Sequence, residues 1–86
     1  MTVEQVIATI RNNPQSWKVV FQSKESIVFA WEEYRFTRLS DRFDCVMILN
    51  SKYDRLNHIW QRDDPFIFPL YMGLVDRHLR GFATAS

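Results

Sequence analysis

Glycine is nearly absent from this 86-residue chain, and proline is scarce, with two of the first and three of the second. Two glycines, Gly73 and Gly81, cannot build a glycine-rich phosphate loop or a Gly-x-Ser-x-Gly nucleophile elbow. A single cysteine, Cys45, cannot form an internal disulfide and leaves no cysteine pairs for a zinc finger. Charge of one sign is not in surplus: 11 Lys and Arg stand against 10 Asp and Glu, a net charge of +1. That balance lacks the basic footprint of a non-specific nucleic-acid binder. No apolar run approaches the roughly 18 residues of a membrane span. The first residues carry Glu4 and no basic stretch ahead of an apolar one, unlike a signal peptide. These absences predict one intracellular, cytoplasmic domain over residues 1–86, with a fold that needs no oxidising compartment.

What is abundant is aromatic and arginine. Trp17, Trp31, Trp60, three tyrosines and seven phenylalanines accompany eight arginines, against only three lysines. Trp, Tyr, Phe and Arg are enriched at interface centres, where Lys is depleted. The plainer reading is that a small core needs large side chains and that arginines rim it in solvent.

Residues 2–12 read as a helix. Thr2 is placed as N-cap with Gln5 three residues on, a capping-box spacing, and Val3, Val6, Ile7 and Ile10 make one apolar stripe. Asn13 before Pro14 ends it. From Trp17 to Asn50 the period becomes two. Trp17, Val19 and Phe21 share a face of a first strand, and residues 23–26 are a polar turn. Ile27, Phe29 and Trp31 share a face of a second strand, but Tyr34 and Phe36 continue on the opposite parity. The slip at Glu32 and Glu33 is read as a β-bulge in one long strand, with a break into two strands as the competitor. After a turn at residues 40–42, Phe43, Cys45, Met47 and Leu49 alternate with Val46 and Ile48. This third strand is apolar on much of both faces and therefore central.

Asp54 is expected to cap a short helix over residues 55–61, with Leu56, Ile59 and Trp60 at helical spacing. Residues 65–68 are expected to be extended, because Pro69 would break a helix begun earlier. A helix over residues 69–80 follows, with Gly81 as its C-cap. The predicted fold is therefore α+β: an N-terminal helix, a three-stranded antiparallel meander with a bulged second strand, and a C-terminal helix or helix pair packed on one face.

Enzyme templates fail one by one. Cys45 sits mid-strand among apolar residues, where a buried, inert thiol is the rule. Asp76 and His78 lie two apart on a helix and point to different faces, so no metal site is expected. Glu32 and Glu33 face opposite ways on a strand, and Asp63 and Asp64 precede a proline as turn and capping chemistry. No catalytic residue, metal or cofactor is expected.

Two binding readings stay open. The first is a non-enzymatic protein that acts by stoichiometric binding to a protein partner, of inhibitor or adaptor type, as a homodimer or higher homo-oligomer. It rests on the segment from Asp64 to Asp76, which has no charge between its ends, and names Phe66, Ile67, Phe68 and Tyr71 as interface residues. The second is a protein that binds or sequesters a nucleotide, cyclic signalling nucleotides included, or another anionic small ligand. Here an aromatic stacks the base and arginines grip phosphate, the candidates being Tyr53, Arg55, Trp60, Arg62, Arg77 and Arg80. Arg35, Arg38 and Arg42 are expected to form a further basic cluster on the second hairpin.

Overall fold

The computed structural model describes residues 1–40, 45–61 and 64–85. Helix α1 spans Val3–Asn12, and its first turn carries the expected capping box: Thr2 Oγ1 accepts from Gln5 N at 3.2 Å and Gln5 Oε1 accepts from Thr2 N at 2.8 Å. Its apolar stripe buries Val6 and Ile10 completely. A single 3-10 turn, Pro14–Ser16, leads into a sheet of five strands: β1 (Lys18–Gln22), β2 (Ile27–Trp31), β3 (Tyr34–Ser40), β4 (Cys45–Ser51) and β5 (Leu56–Trp60). Helix α2, Ile67–Ala85, closes the chain. The strands pair antiparallel in sequence order, β1-β2-β3-β4-β5. The class is α+β, with five strands where three were expected.

The extra strands come from two turns. Glu32 and Glu33 form a two-residue hairpin loop between β2 and β3, with Trp31 paired to Tyr34 across it. The expected bulge is therefore a strand break. A reversal at Glu32 requires φ 52°, the left-handed region that an L side chain enters at a cost. The change of parity from Trp31 to Tyr34 is this hairpin, which keeps both residues on one face. A real bulge does occur, but in β1: Val19 pairs with Phe29 and Phe21 with Val28, leaving Val20 as the extra residue.

The segment expected to be a short helix is β5. A turn over residues 52–55, with Arg55 at φ 53°, sends the chain back along β4, and Ser51, Asn50, Leu49, Ile48 and Met47 pair with residues Leu56 to Trp60. Helical spacing of Leu56, Ile59 and Trp60 loses to this ladder of hydrogen bonds. The extended segment before Pro69 is also corrected. Asp64 Oδ1 accepts from Phe66 N at 2.9 Å and Ile67 N at 3.1 Å, so the helix starts at Ile67 with Pro69 in its first turn. There the missing proline N–H has no intrahelical acceptor to lose. The helix also runs past Gly81, which is not its C-cap; its φ is not positive.

Both helices cover the same sheet face. The core joins Val6 and Ile10 of α1 and Ile67, Tyr71 and Leu74 of α2 to Trp17, Phe29, Tyr34, Phe36, Met47 and Leu49. Tyr71 is the hub: its ring meets Phe29 and Phe36 edge-on, with centroids 5.5 and 5.3 Å away, and its hydroxyl donates to the Ile27 carbonyl. Edge-to-face pairs add about 0.5–1.5 kcal/mol each beyond burial. Among the described residues no helix is long and apolar enough to cross a membrane.

Candidate binding surfaces

Strand alternation sorts every sheet residue to the helix side or the open side. On the open side, the cross-strand register aligns Phe21, Val28, Thr37, Ile48 and Ile59 in one row across all five strands. Leu39 and Val46 form a pair beside it on β3 and β4. Neither helix covers this side, and Phe21, Leu39 and Ile59 are 56%, 45% and 55% exposed. A second row, Lys18, Ala30, Arg35, Asn50 and Asn57, is polar apart from Ala30 and borders the apolar one. The apolar content of β4 on both faces, legible in the sequence, is the signal that this surface exists.

At one end of the sheet, the β2-β3 hairpin and the β4-β5 turn flank a cleft of about 500 Å³. Its walls are Glu33, Arg35, Asn50, Ser51, Lys52 and Tyr53. The Tyr34 hydroxyl donates to Asp54 Oδ2 and ties the two turns together, while the Met1 amine bonds the same oxygen at 2.9 Å. Hydrogen bonding from Tyr34, then from the amine, holds the Asp54 carboxyl below its ordinary value. The same hydrogen bond, aided by burial and by the nearby acids, pushes the Tyr34 phenol up to about 12. Ser51 Oγ accepts from Asp54 N at 3.3 Å and fixes the start of the turn. Arg35 Nη1 donates to the carbonyls of Glu32 (2.8 Å) and Tyr34 (2.9 Å), which holds the guanidinium beside the hairpin.

The sequence-expected ligand residues are dispersed. Tyr53, 86% exposed, lines the end cleft, and Arg55 is exposed in the same turn. Trp60 is half-buried on the helix side, edge-on to Phe36 at 6.4 Å and beside His58 at 4.5 Å. Arg77 lines a separate cleft of about 440 Å³ with Trp17, Lys18 and His78, and Arg80 pairs with Asp76 at 3.1 Å. Arg62 lies outside the described residues, as do Arg42, Asp63 and the Cys45 side chain. The expected basic cluster on the hairpin is split: Arg35 is on the open side, whereas Arg38 is on the helix side, over the Phe68 ring at 5.0 Å.

The four expected interface residues also differ in exposure. Phe66 is 75% exposed, Phe68 is half-buried beneath Arg38, and Ile67 and Tyr71 are in the core. Among the described residues no three His, Cys, Asp or Glu side chains gather as a metal-holding group. Arg35, Asn50 and Lys52 of the end cleft, and the open-face row, were not among the sequence-derived site residues. They come together only through pairing between strands.

Comparison with protein-family models, with curated protein sequences and with solved structures finds no match.

Proposed function

We propose that this chain is a non-enzymatic binding protein that acts by stoichiometric association, with the open face of its sheet as the contact surface and a second copy of itself as the first occupant. The observation that carries this reading is the five-strand row Phe21, Val28, Thr37, Ile48 and Ile59 with neither helix, and among the described residues no other element, packed on it. Strands about 4.8 Å apart and five to seven residues long give a face on the order of 400 Å². The apolar row and the Leu39–Val46 pair occupy part of that face, and contiguous uncovered apolar surface marks contact sites on otherwise polar proteins. A sheet with one apolar row across its width is self-complementary under a two-fold axis, which stacks two such faces at about 30° about 10 Å apart. The lysine and arginine of the bordering polar row then lie at the rim, where charge remains solvated.

Sedimentation velocity across a concentration series tests this reading. The parent chain is expected to sediment as a dimer and Ile59→Lys as a folded monomer. A monomeric parent, or a dimer that survives Ile59→Lys, would overturn it.

A further inference from the structure

The end cleft has a different chemistry from the sheet face. Its volume, about 500 Å³, falls in the range of small-molecule sites and exceeds what a bare phosphate fills. Two cations, Arg35 and Lys52, line it, and among the described residues neither makes an ion pair. Among the described residues no acid at this end makes a direct ion pair with either cation. Asp54 has Oδ2 committed to Tyr34 and the Met1 amine, and Glu33, which lines the cleft, pairs with neither cation. Arg35 is held by two backbone carbonyls through Nη1, and among the described residues Nη2 and Nε have no acceptor. A guanidinium fixed in this way has little conformational freedom left to lose on gripping an anion. Tyr53 lines the cleft with its ring almost wholly in solvent, although an aromatic ring gains most from contact with another flat surface. Asn50 adds an amide that both donates and accepts.

We propose that this cleft binds a nucleoside monophosphate: Arg35 and Lys52 hold the phosphate, Tyr53 stacks the base, and Asn50 and Glu33 meet the base or ribose edge. Arg and Lys divide the phosphate work by type, the first as a planar fork and the second as a point charge. Stacking on Tyr53 tolerates any base, so selectivity comes from the polar edge. Glu33 supplies an acceptor for amino, imino or ribose hydroxyl donors, none of which inorganic phosphate carries in the same geometry. The site uses none of the open-face apolar residues, and it borders them through Arg35 and Asn50 of the adjoining polar row.

The test is a titration of the uniformly 15N-labelled full chain with AMP, GMP, CMP and UMP, and separately with inorganic phosphate and adenosine, followed by amide and arginine Nε shifts. Saturable shifts at Arg35, Asn50, Lys52 and Tyr53 are expected with the monophosphates, and affinity at least tenfold weaker for phosphate or adenosine alone. Tyr53→Ala and Lys52→Ala change exposed side chains and should each weaken binding about tenfold while the spectrum stays folded. Arg77→Ala, at the other cleft, should bind as the parent does. Absence of saturable shifts at millimolar nucleotide would overturn the proposal. So would binding that survives both Tyr53→Ala and Lys52→Ala, or phosphate binding as tight as that of AMP.

Discussion

The Tyr34 hydroxyl donates to Asp54 across the end of the sheet, joining the β2-β3 hairpin to the β4-β5 turn. Each of those turns carries a non-glycine residue in the left-handed region, Glu32 at φ 52° and Arg55 at φ 53°. The bond therefore fixes two strained reversals relative to one another, and with them both walls of the end cleft.

Stability should respond to pH at both extremes through this pair. Asp54, whose folded-state value is lowered, contributes stability that is present above its unfolded value near 4 and is lost as pH falls further. Tyr34, raised from 10.0 to about 12, contributes stability that is fully present below pH 10 and declines as pH rises from there through 12. Urea midpoints measured against pH should show a plateau with these two shoulders. Tyr34→Phe should remove the alkaline shoulder and reduce the acid one.

Relief of turn strain should stabilise the protein. A left-handed conformation costs an L residue about 1–2 kcal/mol, and glycine escapes it at a smaller entropic cost. Glu32→Gly is expected to raise the urea midpoint by an amount equivalent to about 1 kcal/mol. The same substitution at Glu33, whose φ is not positive, should lower it.

Core substitutions should be costly around Tyr71. Phe36 is 1% exposed and touches both Tyr71 and Trp60, so Phe36→Ala should cost about 3–5 kcal/mol. That is a large share of the roughly 4–13 kcal/mol expected of 86 residues. Tyr71→Phe keeps the ring and removes the hydrogen bond to Ile27, for about 1 kcal/mol. Calorimetry of the two variants separates packing from polar contributions.

Charge on the open face should change assembly and not folding. Ile59 is half exposed, so Ile59→Lys should alter stability by no more than about 0.5 kcal/mol while halving the sedimenting mass. Phe66→Lys, at the entry to α2, should leave the mass unchanged. The opposite pattern would place the interface at the apolar segment before the helix.

Much of this architecture is legible in the residues. The capping box of Thr2 and Gln5, the apolar stripe of α1, the first hairpin, the interior place of β4 and the amphipathic C-terminal helix all follow from local pattern. The two reversals whose consequences the pattern hides, at Glu32-Glu33 and after the loop at residues 50–54, share one cause: each places a charged residue where the turn needs positive φ. Glycine and asparagine are the usual marks of such a reversal, and neither Glu32 nor Arg55 carries that signal. After the loop at residues 50–54, the five residues of β5 fit helical spacing as well as alternation, and only pairing with β4 decides between them. The end cleft was illegible for a related reason. Arg35 and Asn50 are fifteen positions apart in the chain and face each other only because β3 and β4 pair in register.

Strand order that follows sequence order has a kinetic consequence. Strands that pair are never more than four residues apart in the chain, so the sheet assembles by successive closure of small loops, which costs little chain entropy. The two terminal helices, which contribute Val6, Ile10 and Tyr71, join the core from opposite ends of the chain. Folding should therefore be fast for a protein with this much sheet, with the meander forming ahead of the joint docking of the two terminal helices. Substitutions at the helix–sheet seam should act mainly by accelerating unfolding, and those within the β3-β4 pair by slowing folding.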